Sequence, residues 1–168
     1  MPHARFSANT LRLVGAQHLL TKYNFCELLM LIHLTYASRT SQALTPAGLK
    51  DILTASQRNN SRVGVTGALY LANGIFLQQL EGDRDAVSVL YHRILTDSRH
   101  RDPVILDFSE IPSRKLAQWS MGSLSSLESN KAIHLKYSNS VTFDPYTMNS
   151  ISLRAFFDEV VSNPSWVS

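Results

Sequence analysis

The chain has 168 residues, of which 44% are hydrophobic and 17% are charged, and its formal net charge is +3. This composition indicates a globular domain with room for an appendage and excludes a largely disordered chain. The single cysteine, Cys26, excludes an internal disulfide framework or a cysteine metal cluster, and it is compatible with a reducing cytoplasm. No basic stripe with interleaved aromatic residues argues for nucleic-acid binding, and no apolar run is long enough to span a bilayer.

Residues 1–29 differ in composition from the rest of the chain. They are rich in Ser, Thr, Arg and His and nearly free of acidic residues, which is typical of an organellar transit peptide. A strand pattern opens directly at Met30, however, so the segment is at least as well interpreted as an extension without a role in the fold. We favour that second interpretation.

The first predicted strand and helix follow this segment. Residues 31–37 combine β-branched and aromatic residues with partial alternation, which predicts a strand. Thr45 and Pro46 predict the start of a helix, because threonine caps helix N-termini and proline fits the first helical position. The pair Asn59-Asn60, followed by Gly64, predicts its end.

A hairpin and a second helix come next. Residues 65–71 and 75–80 are predicted strands on either side of Asn73-Gly74, the strongest short hairpin signal. Asp83 is a candidate N-cap, and apolar residues then recur at the spacing of an amphipathic helix. These residues are Val87, Leu90, Tyr91, Ile94 and Leu95.

Residues 104–111 are predicted as a strand and residues 119–124 as a further short one. The resulting order is that of an α+β, ferredoxin-like βαββαβ sandwich with an extra strand and two helices on one face of a mostly antiparallel sheet. Residues 131–137 and 148–162 are predicted as a C-terminal helical appendage, which must pack on the free sheet face, on another subunit, or on both. The chain is thus divided into an extension, a folded domain and a C-terminal region, with the boundaries 1–29, 30–124 and 125–168.

Two polar residues stand out in apolar strands. Alternation places Gln78 on the same strand face as Phe76 and Leu80. If that face is the core, Gln78 is a buried amide, which costs about 1–3 kcal/mol unless it finds partners. The strand pattern alone favours a solvated Gln78 and an ordinary core position for Tyr36, at the end of the first strand.

Other residues have simple interpretations when taken singly. Arg93 and Asp97 lie four apart on the second helix, as a surface ion pair would, and His100 follows as a helix C-terminal cation. Trp119 and Met121 are typical of core filling. Because the chain has no Gly-rich phosphate loop, nucleophile elbow or His pair at metal spacing, no catalytic or metal site is indicated.

Taken in order, these residues form a set of motifs that closely resembles the BLUF domain (blue-light sensing using flavin). The motifs are LTYAS (34–38), ILTASQRNN (52–60), GVTG (64–67), FLQQLEG (76–82), YHRI (91–94), DSRH (97–100) and WSM (119–121). The resemblance covers residues 30–124. Residues 135–138, Thr142-Phe143, Met148 and Phe156 are in addition similar to the tail of the short PixD-type cyanobacterial photoreceptors of this family, which carry no attached enzyme.

The resemblance implies a blue-light photoreceptor that binds FAD without a covalent bond, with FMN and riboflavin as alternatives, and holds the flavin ring between the two helices. Asn60 matches the family residue that bonds the C4 carbonyl and N3 edge of the ring. The implied switch residues are Tyr36, Gln78, Trp119, Met121 and Ser56. The implied flavin-binding residues, besides Asn60 and Gln78, are Asn59, Ile52, Phe76, Arg93, Ile94, Asp97, Arg99 and His100.

The resemblance also implies how light acts. Excited flavin draws an electron and then a proton from Tyr36 through Gln78, whose amide returns either rotated or as its imide tautomer, and the flavin absorption shifts to the red. We expect Trp119 and Met121 on the strand beside that of Gln78, where they report the change to the following helices. PixD-type proteins form ring-like oligomers and bind a response-regulator-like protein, which implies a homo-oligomer and such a partner here.

Two other functions are compatible with the same fold. A ligand-binding or protein-interaction module without photochemistry would be colourless when purified. An acylphosphatase-like enzyme would need an anion-binding loop after the first strand, where Arg39 lies without a glycine-rich cradle. We therefore expect no enzymatic activity, a cytoplasmic location, and neither nucleic acid nor a membrane as a partner.

Overall fold

The structure, a computed structural model, describes residues 30–42, 44–125 and 131–162. The predictions for residues 1–29 lie outside these residues. The elements are β1 (Leu31–Thr40), α1 (Pro46–Arg62), β2 (Thr66–Ala72), β3 (Ile75–Asp83), α2 (Arg84–Leu95), β4 (His100–Glu110), β5 (Gly122–Ser125), α3 (Lys131–Tyr137), a 3₁₀ turn (Pro145–Thr147) and α4 (Ser150–Ser162). No helix among the described residues is both long enough and apolar enough to cross a membrane.

Local signals in the sequence fix the ends of several elements. The Thr45 hydroxyl accepts a hydrogen bond from the Gly48 amide at 3.1 Å and so caps α1. The Asp83 carboxylate caps α2 in the same way. Asn73 and Gly74 have φ angles of 52° and 69°, the left-handed pair that a tight hairpin turn requires. These predictions are confirmed.

The strand order in the sheet is β4-β1-β3-β2-β5. β1 pairs antiparallel with β3 and β4, β2 pairs antiparallel with β3, and β5 pairs parallel with β2. The predicted ferredoxin-like α+β class is confirmed.

The position predicted for the fifth strand is wrong. We expected Trp119 and Met121 on a strand beside that of Gln78, whereas β5 begins at Gly122 and pairs with β2. Both edges of β3 are already paired, with β1 and β2, so the outer edge of β2 is where β5 adds to the sheet. The last helix likewise starts at Ser150, two residues after its predicted start at Met148.

The sheet is covered on both faces. On one face, α1 and α2 pack over β1 and β3 and bury apolar side chains that include Tyr36, Phe76 and Leu80. On the other face, side chains of α3 and α4 pack on strand residues such as Tyr70 and Leu77. Of the two places left open for the C-terminal helices, the free sheet face is therefore occupied within the chain itself.

Removing Phe156 tests how much α4 contributes to the fold. Its ring is 1% exposed and packs edge-on against Tyr70, with the ring centroids 5.2 Å apart. We expect Phe156→Ala to lower the free energy of unfolding by about 3–5 kcal/mol, because it leaves a cavity in this core. Urea unfolding measures the loss. Ile151→Ala on the same helix is the control: Ile151 is 80% exposed and its loss should change stability by no more than about 0.5 kcal/mol.

The hydrogen bonds of His134 predict a pH dependence. Its Nε2 lies 2.8 Å from the Tyr70 hydroxyl and its Nδ1 3.2 Å from the Val141 carbonyl, so the neutral ring accepts from Tyr70 and donates to Val141. Burial lowers the pKa of His134 below its ordinary value near 6.5, although the Val141 carbonyl partly opposes the shift. The unfolded chain therefore binds the proton first, and the stability linked to His134 is lost as pH falls from about 6.5 through the lowered pKa.

The free energy of unfolding should thus be smaller at pH 5.5 than at pH 7.5, and His134→Gln should reduce this difference. Urea unfolding at the two pH values measures it. His92→Gln, which replaces an exposed histidine, should leave the difference as it is. An equal reduction in both variants would contradict the assignment to His134.

Candidate functional site

A cleft lies between α1 and α2, above the middle of β1 and β3. It encloses about 760 Å³ counted to its open mouth, within the range of about 300–1,000 Å³ that small-molecule sites occupy. Its floor comes from the strands and its walls from the facing sides of the two helices. With the exception of Trp119, the predicted switch and flavin-binding residues line it: Tyr36, Ile52, Ser56, Asn59, Asn60, Phe76, Gln78, Arg93, Ile94, Asp97, Arg99, His100 and Met121.

Three lining residues escaped the sequence analysis: Ala55, Leu69 and Leu90. Leu90 belongs to the apolar stripe of α2 and Ala55 lies one turn beyond Ile52, so helical spacing could have placed both in the cleft. Leu69 is the cross-strand partner of Gln78 and could be found only once the hairpin register was known.

Gln78 and Tyr36 are brought together by the strand register. β1 and β3 pair them directly, and both side chains are buried. The Tyr36 hydroxyl donates a hydrogen bond to Oε1 of Gln78, and Nε2 of Gln78 donates to the Met121 sulfur at 3.2 Å. The solvated position that the strand pattern alone favours for Gln78 is wrong, because both ends of its amide have buried partners.

The surroundings of Tyr36 keep its hydroxyl protonated. Burial, followed by the nearby Tyr91 and the Asp97 carboxylate, raises the pKa of Tyr36 well above its ordinary value near 10. The rings of Tyr36 and Tyr91 lie 5.3 Å apart, centroid to centroid. At neutral pH the phenol is therefore a hydrogen-bond donor, which suits the carbonyl end of the Gln78 amide.

Trp119 and Met121 lie on opposite sides of the sheet. Met121 is 2% exposed and packs among the side chains under α1 and α2, whereas Trp119 packs against the cluster that α3 and α4 cover. Two amides of α1 hold the short segment between them. Asn60 Nδ2 donates to the Ser120 carbonyl at 2.8 Å, and Gln57 Nε2 donates to the Met121 carbonyl at 3.0 Å.

The charges at the other end of the cleft pair differently from the i, i+4 expectation. Asp97 accepts from Arg99, with Nε 2.9 Å from Oδ1, while Arg93 forms no ion pair within the described part of the chain. The hydrogen bond from the Arg99 side chain is the main cause that lowers the pKa of Asp97 to about 2. The two residues lie in the turn after α2, where the chain folds back far enough for this pair to close.

His100 is also not the helix-end cation that the sequence indicated. It begins β4, its ring lies 4.7 Å from that of Phe76, and its Nδ1 is 2.7 Å from the Ser38 hydroxyl. Burial lowers the pKa of His100, with the opposed effects of Asp97 and Arg99 adding less. The ring at pH 7 is therefore neutral and contributes hydrogen bonding and packing to the cleft.

Comparison with known proteins identifies the family. The sequence model of the BLUF family, described as sensors of blue-light using FAD, matches residues 31–122, more than half of the chain. Similar curated proteins include the photoactivated adenylate cyclase subunit beta of Euglena longa, 36% identical over 91 residues, which are 54% of this chain and 11% of that protein. The alpha-like protein FB of Euglena gracilis is 40% identical over 78 residues, 46% of this chain and 8% of that one. The chain thus spans only a small part of the length of these relatives.

Solved structures match over more of the chain. BlsA in its photo-activated state has a TM-score of 0.74 and 29% identity, over 80% of this chain and 96% of that one. The dark-state BLUF protein BlrB has a TM-score of 0.66 and 28% identity, over 79% of this chain and 95% of that one. Both are similar to this chain beyond the cleft itself.

The cleft fits the cofactor of that family. Apolar side chains on its two walls, including Ile52 and Ile94, can hold a flat ring, while Asn60 and Gln78 present amide groups to the hydrogen-bonding edge of such a ring. The family match, the fold and this cleft agree, and the chain belongs to the BLUF family of sensors that detect blue light with FAD.

Proposed function

We propose that this chain is a blue-light photoreceptor without enzymatic activity, and that its switch is the hydrogen-bonded pair of Tyr36 and Gln78. The observation that carries the proposal is the buried amide of Gln78, which accepts from Tyr36 at one end and donates to Met121 at the other. A buried amide in this position has a defined orientation, and reversing it exchanges an acceptor for a donor on both sides.

Bound flavin supplies the absorption of blue light and, once excited, a strong oxidant. The residues that would hold it have complementary chemistry: apolar side chains for the ring faces, and amides, carboxylate and guanidinium groups for the ring edge and the tail. They are Ile52, Phe76, Ile94, Asn59, Asn60, Gln78, Arg93, Asp97, Arg99 and His100. Ser56 lies in the same wall of α1.

Tyr36 is the oxidisable group of the pair. Its hydroxyl already points its proton at Oε1 of Gln78, so the proton can leave along an existing hydrogen bond when an electron leaves the ring. Both return to Tyr36 in the dark, and the protein undergoes no net oxidation. The amide of Gln78 is left rotated or as its imide tautomer.

Met121 feels a rotation directly. The sulfur of Met121 is an acceptor and now faces Nε2 of Gln78. A rotated amide turns its oxygen toward the sulfur, and two acceptors cannot form a hydrogen bond. The contact between Gln78 and Met121 is then lost, and the side chain of Met121 is free to change its rotamer.

The output follows the segment that carries Met121. Trp119, two residues earlier, packs on the opposite sheet face with the cluster under α3 and α4. A shift of this segment therefore changes packing on the face that the C-terminal helices cover. We assign output and oligomerisation to residues 125–168, with a ring-like homo-oligomer and a response-regulator-like protein as partners and the cytoplasm as location. Relatives that bear the name photoactivated adenylate cyclase support coupling between such a domain and an effector.

Gln78→Leu tests the switch. Leucine preserves the apolar surroundings and removes both hydrogen bonds, so the variant should keep its flavin and lose the light-induced red shift. Visible spectra of the protein purified in the dark, before and after blue light, measure this. Gln79→Leu is the matched control, because the neighbouring amide points to the other sheet face and bonds Glu81; its red shift should be that of the unmodified chain.

A normal red shift in Gln78→Leu would contradict the mechanism. A protein that is colourless when purified would contradict the photoreceptor itself and favour a binding module without photochemistry.

The proposed output predicts that light changes assembly. Size-exclusion chromatography with light scattering, in the dark and under continuous blue light, should give different masses or a different set of co-purified proteins. Gln78→Leu should show the dark result under both conditions. Identical masses and identical co-purified proteins in light and dark would contradict the proposed output.

A further inference from the structure

An apolar groove continues the cleft across the outer surface of the two helices. It lies where the C-terminal end of α1 meets the N-terminal half of α2, and it encloses about 620 Å³. Val63 and Val89 face it and are 47% and 53% exposed. Asn59, Leu90 and Arg93 line both the groove and the cleft, so the two spaces are continuous.

Arg93 places an uncompensated positive charge at the junction. Its side chain is exposed, and within the described residues it forms no ion pair, since Asp97 is engaged by Arg99. A guanidinium in this position is complementary to a phosphate, which it binds with two parallel hydrogen bonds.

The far end of the groove offers a carboxylate. Asp85 lines the groove, and none of the hydrogen bonds among the described residues uses its side-chain oxygens. α2 rises 1.5 Å per residue, so the stretch from Arg93 back to Ala86 covers about 10 Å. Guanidinium, apolar surface and carboxylate thus follow one another along a single helix.

We infer that this groove is the site for the adenosine half of FAD, an inference that rests on the proposed function. With the flavin ring in the cleft, the diphosphate lies at Arg93, and adenine lies on Val63, Ala86 and Val89. The carboxylate of Asp85 accepts a hydrogen bond from the adenine amino group or from a ribose hydroxyl. The order of groups in FAD is then the order of chemistry along the cleft and groove.

The opposite end of the cleft is the poorer exit for this tail. The space there is lined by hydroxyl and amide side chains together with Arg99. The charge of Arg99 is already neutralised by Asp97. It offers little apolar surface for adenine and no free cation for the diphosphate.

Competition between flavins tests the inference. The full chain is equilibrated by dialysis against equal concentrations of FAD and FMN, and the bound flavins are released and quantified. FMN carries the phosphate without adenosine, so the ratio isolates the groove. We expect about tenfold more FAD than FMN in the unmodified chain, which corresponds to about 1.4 kcal/mol.

Val89→Asp should bring this ratio to about one, since a carboxylate in the apolar groove repels the diphosphate and removes the surface for adenine, and FMN-loaded protein should keep its red shift. Val104→Asp, on β4 and 44% exposed in the unmodified chain, is the control and should keep the tenfold preference. Arg93→Gln should weaken FAD and FMN together relative to riboflavin, because riboflavin has no phosphate.

A ratio near one in the unmodified chain would overturn the inference, and so would an unchanged ratio in Val89→Asp, as expected if a protein partner covers Val63 and Val89 instead. Either result with a normal red shift leaves the proposed function intact. A chain that binds no flavin, or binds it without any red shift, contradicts the proposed function as well.

Discussion

The hydrogen bond from Tyr36 to Gln78 is the interaction on which the cleft depends. An amide buried in an apolar strand face costs about 1–3 kcal/mol if it lacks partners, so both of its ends must be satisfied by side chains that reach the same point. The register of β1 and β3 supplies Tyr36 directly. The second partner, Met121, comes from beyond β2 and is kept in place by the amides of Gln57 and Asn60. The position of the whole 119–121 segment is thus tied to one glutamine.

Much of this fold can be predicted from local patterns. Threonine and aspartate caps, the Asn73-Gly74 turn and strict alternation in β3 each act over a few residues, and the structure agrees with them. The cleft residues were found by matching a motif order, because a buried glutamine and a solvated one look alike in a strand pattern. What the sequence could not provide is non-local. The place of β5 depends on which strand edges remain free, and the partner of Asp97 depends on the turn after α2.

The two faces of the sheet are connected at more than one point. Besides the 119–121 segment, Asp107 on β4 is buried between His33 on β1 and Arg154 on α4, with Arg154 Nη2 2.8 Å from Oδ1 and His33 Nε2 2.7 Å from Oδ2. Burial acts to raise the pKa of Asp107, yet the hydrogen bonds from Arg154 and His33 hold it below its usual range. This carboxylate fastens α4 to the two strands beside the Tyr36 edge of the cleft.

The short edge strand β5 has a consequence for the energy scale of signalling. Exchanging one or two hydrogen bonds changes a free energy by only about 1–3 kcal/mol, which shifts an equilibrium roughly 5- to 150-fold. Central strands such as β3 cannot respond to so small a bias, because moving them means unfolding the core. β5 has four residues and a single parallel neighbour, so its docking is among the weakest contacts in the sheet. A sensor in which a photon alters a few hydrogen bonds needs its moving part to be this nearly balanced.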